Sequence, residues 1–309
     1  MRAGAPLVPL LSAPLLLAPV ALALWPVAAA AGPGLPPALP PGPVAPLASE
    51  EIAQPGWAEA DRIFDLMGLP RLVQTMRIEG LAMSAQLAED YLAPAAAPAF
   101  HDMAARIYDT PRMERVMRRA FARHLCQAAP WQLEHLLAFY DSPAAQRIVT
   151  AELAARRAFL DAEVEEAAAR AAEIARVQNP TLSEAVDRYV AAADLVEMNL
   201  GGMLTANYHF YLGLVDGGAF VLSEDEMLAD VWQQEDSARL EIELWLRAFL
   251  TRAYRDLPEA ELADYLTLIQ SAEGQRLNAA LFEAYGVLYN DLYHALGRGV
   301  STLLSGEDL

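Results

Sequence analysis

Near the C-terminus, three side chains stand at a spacing that could bind a metal ion. Asp291 and His294 are three residues apart, and Glu283 precedes them at nearly the same angle around a helix. A carboxylate di-iron bundle would need Glu-x-x-His on two helices, and no glutamate stands three residues before any of the five histidines. Because a lone histidine among apolar neighbours is more often packed than metal-bound, we predict no cofactor. A metal-dependent hydrolase that uses these three residues is the alternative.

A second group of candidate residues is aromatic and lies in the same half of the chain. Tyr285 and Tyr289 share one helical face, and Tyr208 and Tyr211 belong to an earlier aromatic cluster. Such tyrosines can line a pocket for a small apolar or sugar-like ligand. More often they form the margin of a core, with the rings buried and the hydroxyls in water. A carrier of a small apolar ligand is therefore a further alternative.

Motifs for covalent or nucleotide chemistry do not occur in the chain. Cys126 and His124 are two residues apart, so on a helix they point in different directions. The sequence contains no G-x-S-x-G, H-E-x-x-H or G-x-G-x-x-G. It also contains no lysine, which excludes a Schiff-base lysine and a phosphate-binding G-K-[ST] loop. We therefore predict a protein without enzymatic activity.

The charge of the chain limits its partners. Its 309 residues carry a net charge of −19, and phosphate binding requires a basic surface, so we expect no nucleic-acid partner. Anionic lipid headgroups would be repelled for the same reason. The single cysteine, Cys126, excludes an intrachain disulfide.

The first 49 residues have the composition of an export leader. One arginine precedes an apolar stretch, and Ala29 and Ala31 form a cleavage site of small residues, so residues 1–31 are predicted to be a signal peptide. An uncleaved membrane anchor is the other interpretation, but repeated prolines disfavour a spanning helix. Seven prolines in residues 32–49 predict a disordered linker. We expect a mature protein, periplasmic or secreted, that does not span a membrane.

The remainder of the chain has a helical pattern. Apolar residues recur at three- and four-residue steps over residues 113–125, and no segment alternates between apolar and polar residues. The sequence therefore predicts an all-α fold. Helix starts are indicated by Thr110-Pro111, by Ser142-Pro143, and by the capping boxes Thr181-x-x-Glu184 and Ser223-x-x-Glu226.

The chain also resembles itself when it is shifted by 129 residues without gaps. The register predicts two tandem helical units, residues 50–179 and 180–309, which we expect to pack about a pseudo-twofold axis. At this offset Asp65-Leu66 matches Asp194-Leu195. The other identical polar residues include Glu114 and Glu243, Arg118 and Arg247, Ser142 and Ser271, Gln146 and Gln275, and Arg147 and Arg276.

Two of these repeated residues are unusual for their position. Arg147 and Arg276 lie in the first turns of their helices, where the helix dipole disfavours a cation. A defined acceptor would explain them. We expect a buried or interfacial carboxylate, and an anionic ligand is the alternative. The other repeated polar residues are explained as helix caps and surface ion pairs.

The segment 136–147, LLAFYDSPAAQR, resembles the signature of a bacterial exported family known as domain of unknown function 2059. That signature is an aromatic pair followed by x-S-P-x-G and a polar-basic pair. Residues 268–276, LIQSAEGQR, resemble a diverged second copy, which has the glycine that Ala145 replaces. The resemblance implies an exported helical protein without an established activity, and it carries over no catalytic residue.

Together these features predict an exported, non-enzymatic helical scaffold or binding module. Its partner would be another envelope protein or a second copy of the chain. The C-terminal unit, which contains the tyrosines and the potential metal ligands, is where we expect any ligand to bind.

Overall fold

The computed structural model describes residues 53–305. This range contains thirteen α-helices and no β-strand, which confirms the predicted fold class. The predicted signal peptide (1–31) and linker (32–49) lie outside the described residues. The helices are α1 Trp57–Leu66, α2 Leu69–Tyr91, α3 Ala97–Ile107, α4 Thr110–Leu125, α5 Pro130–Tyr140, α6 Pro143–Ala158, α7 Ala162–Gln178, α8 Pro180–Ala192, α9 Leu195–Asp216, α10 Glu224–Trp232, α11 Glu235–Tyr254, α12 Glu259–Gln270 and α13 Ala272–Ser305.

The longest helix, α13, joins the two halves of the chain. It spans 34 residues, packs against α9, and also contacts α3, α4 and α5 from the N-terminal half. Its buried side chains lie on several faces, because neighbouring helices cover it on more than one side. Despite this length, no helix between residues 53 and 305 has an apolar stretch long enough to cross a membrane.

Two pairs of helices begin at the same spacing along the chain. Helices α5 and α6 begin at residues 130 and 143, and α12 and α13 begin 129 residues later, at 259 and 272. Nearer the start of each half the spacing is different. Helices α2 and α9 begin at residues 69 and 195, which are 126 residues apart. Their N-caps, Gly68 and Asp194, both have positive φ angles, 68° and 50°.

The helix caps agree with the sequence at some positions and differ at others. The Ser142 and Ser271 hydroxyls accept hydrogen bonds from the backbone N–H three residues later, and Ser223 forms its capping box with Glu226. The predicted caps at Thr110 and Thr181 are wrong. Asp109 and Asn179 cap these helices instead, since each stands directly before the residue that begins the helix and accepts from a backbone N–H.

Helices α9 and α13 approach so closely that their backbones meet at two glycines. A Cβ atom on Gly213 would collide with the backbone carbonyl oxygen of His294. A Cβ atom on Gly297 would collide with the backbone carbonyl oxygen of Phe210. Since a backbone cannot rotate away as a side chain can, this contact requires glycine on both helices.

This contact can be tested with two glycines of the same helix. Gly213→Ala should destabilise the protein by about 1–3 kcal/mol, because the added methyl group overpacks the contact between α9 and α13. The control is Gly201→Ala, where a Cβ atom meets nothing within 4 Å. It should be neutral or stabilise by up to about 1 kcal/mol, as alanine favours helix more than glycine. Urea denaturation measures both, and equal effects would contradict the close packing.

Candidate functional site

The repeated serine and glutamine residues form the same hydrogen bonds in both halves. Gln146 Nε2 donates to the carbonyl oxygen of Tyr140 at 2.6 Å, and Gln275 Nε2 donates to that of Ile269 at 2.8 Å. Both amides also donate to a carbonyl at the end of an earlier helix, Leu66 at 2.9 Å for Gln146 and Ala192 at 3.0 Å for Gln275. Each glutamine side chain thus links the ends of two helices by hydrogen bonds, which is a structural role.

The repeated arginines have different surroundings. Arg147 donates from Nε and Nη2 to the carboxylate of Glu261 in the other half of the chain, and the Nε–Oε2 distance is 3.0 Å. Glu261 is thus the carboxylate acceptor of Arg147, and an acceptor for Arg276 stays a prediction. Arg276 lies near His124. Burial lowers the pKa of His124, the Glu283 carboxylate raises it, and Arg276 lowers it further.

The three potential metal ligands have separate partners. The Asp291 carboxylate accepts a hydrogen bond from Arg112 at 2.5 Å. The His294 Nε2 atom lies 2.8 Å from Oδ2 of Asp216. Glu283 is exposed. Within residues 53–305 no group of three or more histidine, cysteine, aspartate or glutamate side chains is placed to hold a metal ion.

The four candidate tyrosines fall into two groups. Tyr208 and Tyr211 donate their hydroxyls to Glu224 and Asp230, which are both on α10. The rings of Tyr285 and Tyr289 stack on each other, with their centroids 6.3 Å apart. Of the four, only Tyr285 lines the polar cavity described below. The two groups of tyrosines therefore have separate hydrogen-bond and stacking partners.

A buried ion pair lies beside Tyr285. Arg156 on α6 is 1% exposed and Glu79 on α2 is 9% exposed, and Nη2 of Arg156 lies 2.5 Å from Oε2 of Glu79. Burial raises the pKa of Glu79, and the Arg156 charge acts in the opposite direction. Among the described residues, Nε and Nη1 of Arg156, Oε1 of Glu79 and the Tyr285 hydroxyl are buried without a hydrogen-bond partner.

An aromatic stack from α11 covers the guanidinium. The Arg156 Cζ atom lies 5.7 Å from the centroid of the Trp245 ring, within range of a cation–π interaction. Phe249 stacks on Trp245 at 5.0 Å, and Phe159 meets the same ring edge-on at 5.6 Å. A cation from the N-terminal half is thus enclosed by rings that belong mainly to the C-terminal half.

One helical turn before Arg156, the only acidic side chain of α6, Glu152, faces a group of tyrosines. The Tyr254 hydroxyl donates to Glu152 at 2.6 Å, and the hydroxyls of Tyr189 and Tyr265 lie 3.3 Å apart. Burial raises the pKa of Glu152 to about 7, although hydrogen bonds from Tyr254 and Tyr265 lower it in part. The carboxyl group therefore changes its charge near neutral pH.

A small cavity of about 50 Å³ lies between these groups, where the two halves meet. Its polar lining comes from Glu152, Arg156, Tyr189, Tyr265 and Tyr285. Aliphatic side chains of α2, α6 and α13 form the rest of its wall. Since one water molecule occupies about 30 Å³ in the liquid, the cavity suits one or two small molecules.

A larger groove lies between α8 and α12. Its volume is about 540 Å³, and acidic and basic side chains line it together, among them Glu184, Arg188, Arg255 and Glu259. The mixed charges do not select a ligand of one sign. The cavity with the buried arginine is therefore the stronger candidate site.

The sequence did not identify Glu79, Glu152 or Arg156 as candidate residues. A signal for the last two was present in the helical pattern of α6. Glu152 and Arg156 follow the buried Val149 by three and seven residues, so all three share one face of the helix. A charge on a buried face requires an internal partner, but the sequence does not indicate which residue supplies it.

Comparison with known proteins gives one family. Residues 111–173 match the family model described as "Uncharacterized protein conserved in bacteria (DUF2059)". This match spans helices α4 to α7 and includes the signature noted at residues 136–147, so it supports a likeness to this bacterial family for that part of the chain. The diverged second copy stays a prediction. No curated protein and no solved structure matches the chain.

Removal of Glu79 should show how strongly the ion pair stabilises the fold. Glu79→Leu leaves Arg156 buried without a counter-charge and should lower the free energy of unfolding by about 3–5 kcal/mol. Glu79→Leu combined with Arg156→Met should recover most of this loss, because it removes both charges. The control is Asp141→Asn in the exposed pair with Arg62, which should change stability by no more than about 1 kcal/mol. If Glu79→Leu lowered the free energy of unfolding no more than this control does, the result would contradict a buried ion pair.

The Glu152 carboxyl should make stability depend on pH. Its pKa is about 7 in the folded protein against an ordinary value of 4.5, so the folded state holds a proton that the unfolded state releases between these values. Wild-type stability should therefore fall from pH 4.5 to pH 7.5 by up to about 3 kcal/mol from this group.

Glu152→Gln remains neutral and should remove this part of the pH dependence. Urea denaturation at pH 5 and pH 8 measures the difference between variant and wild type. Exposed Glu134 supplies the control, since Glu134→Gln should leave the wild-type profile unchanged. A Glu152→Gln profile that runs parallel to wild type would show that Glu152 titrates normally.

Proposed function

We propose that the protein is an exported, non-enzymatic helical scaffold or binding module of the bacterial envelope. Its two tandem units would be residues 50–179 and 180–309, joined through a polar junction. The observation that carries the proposal is that the junction is built from pairs that link the two halves. These pairs are Arg112 with Asp291, His135 with Glu273, Arg147 with Glu261, and Glu152 with Tyr254.

The spacing of equivalent bonds supports an internal repeat. Besides the glutamine bonds and serine caps, each half has an arginine bound to a glutamate one turn earlier on its own helix. Arg118 pairs with Glu114 at 2.8 Å, and Arg247 pairs with Glu243 at 2.7 Å. Each of these arginines also binds an aspartate of a preceding helix, Asp61 on α1 or Asp187 on α8.

The contacts across the junction support a pseudo-twofold arrangement. Helix α5 contacts α13, where His135 meets Glu273, and α6 contacts α12, where Arg147 meets Glu261. At the 129-residue offset, α5 corresponds to α12 and α6 corresponds to α13. The contact of α5 with α13 therefore has a counterpart in the contact of α12 with α6. A twofold axis that exchanges the two units would relate these contacts in this way.

The engagement of the potential metal ligands in other pairs supports a non-enzymatic role. Asp291 and His294 bind Arg112 and Asp216, so a metal site would have to break both pairs. The surface offers contacts for a protein partner or a second copy. Trp131 and Trp232 are 59% and 57% exposed, and tryptophan is enriched in protein interfaces.

Export and the absence of metal chemistry can be tested in one preparation. The full chain, with a C-terminal tag, is expressed in a Gram-negative host and purified from the periplasm. Intact mass should correspond to a chain that begins at Gly32, and elemental analysis should find no stoichiometric metal. A membrane-bound chain of full mass would contradict cleavage. Stoichiometric metal lost in His294→Ala, but kept in the exposed control His101→Ala, would favour the hydrolase.

A further inference from the structure

The cavity at the junction has an unusual donor set. The Arg156 guanidinium is 1% exposed, and only its Nη2 atom reaches Glu79. Its Nε and Nη1 atoms, and the nearby Tyr285 hydroxyl, have no partner in full hydrogen-bond geometry among the described protein groups, although the Tyr289 hydroxyl also interacts with the guanidinium. Leaving buried donors unsatisfied costs free energy, so native proteins rarely do it without a bound partner. Arg156 and Tyr285 both line the cavity.

From these features we propose that the cavity binds a small monocarboxylate, of the size of formate or acetate, together with one proton. The volume of about 50 Å³ suits an occupant of this size. The unpartnered donors of Arg156 and Tyr285 can bind carboxylate oxygens, and the aliphatic wall suits a hydrogen atom or methyl group at the other end. Binding of the carboxylate forms and breaks no covalent bond.

The proton is required by the charge balance of the site. Glu79 on α2 neutralises Arg156, so an ionised Glu152 gives the cluster a net charge of −1, and an entering anion would be repelled. When Glu152 holds a proton, the cluster is neutral and an anion is accommodated. The carboxylate of the ligand and the carboxyl group of Glu152 then share one proton, as neighbouring carboxyl groups do.

The tyrosine hydroxyls near Glu152 and Arg156 add no charge to this balance. Burial raises the pKa values of these tyrosines, so they stay neutral in the physiological range. They are Tyr140 on α5, Tyr189 on α8, Tyr254 on α11, Tyr265 on α12, and Tyr285 and Tyr289 on α13. Glu165 on α7 is a further acid that interacts with Arg156. Burial raises the pKa of Glu165, and the Arg156 charge lowers it.

Calorimetric titration of the mature protein with sodium formate and sodium acetate tests the proposal. Sodium sulfate keeps the ionic strength constant, since a divalent anion would bring a second negative charge into the buried site. We expect saturable binding that weakens about tenfold per pH unit above the pKa of Glu152. Titrations in two buffers of different ionisation enthalpy should show the uptake of one proton per ligand above that pH and none below it.

Two tyrosines of α13 provide a matched pair of variants. Tyr285→Phe should weaken binding about 2- to 10-fold, because it removes one unpartnered hydroxyl. Tyr293→Phe, whose hydroxyl contacts the Met83 sulfur, should bind as wild type. Circular dichroism checks that both variants fold. A linear response without saturation, binding independent of pH, or equal affinity in both variants would each overturn the proposal.

Discussion

A guanidinium buried to 1% exposure must be neutralised inside the protein, and the arrangement of this chain around Arg156 follows from that constraint. Glu79 supplies the counter-charge from α2, Trp245 covers the face of the guanidinium from α11, and Tyr285 lies beside it on α13. Helices from both halves are therefore held around one charge. A break in this cluster would expose a buried ion, so the halves should not separate without a large loss of stability.

The same cluster explains why the two halves differ. At the 129-residue offset, Arg156 corresponds to Tyr285 and Glu152 corresponds to Leu281, so the charges come from one half and the tyrosines from the other. The sequence suggested that any binding role belongs to the second unit. The structure instead places the strongest candidate site at the junction, with its charged groups on α6 and its neutral hydroxyls on α8, α12 and α13.

Much of the fold was accessible from local sequence signals. The all-α class, the capping serines at 142, 223 and 271, and the equivalent glutamines depend on residues close together in the chain. Asp109 and Asn179 were missed as caps because a neighbouring threonine offered a competing hydroxyl. The ion pair between Glu79 and Arg156 joins residues 77 positions apart, and helical periodicity carries no information on such a pairing.

Buried residues of both halves form one core around Arg156. Hydrogen exchange of the full chain, resolved by mass spectrometry to single helices, tests it most directly. We expect the most protected amides of α6 and α13 to exchange with the same free energy, equal to that of global unfolding. Exchange of α6 together with α1–α5 at a clearly lower free energy than α13 would show two independent cores and contradict it.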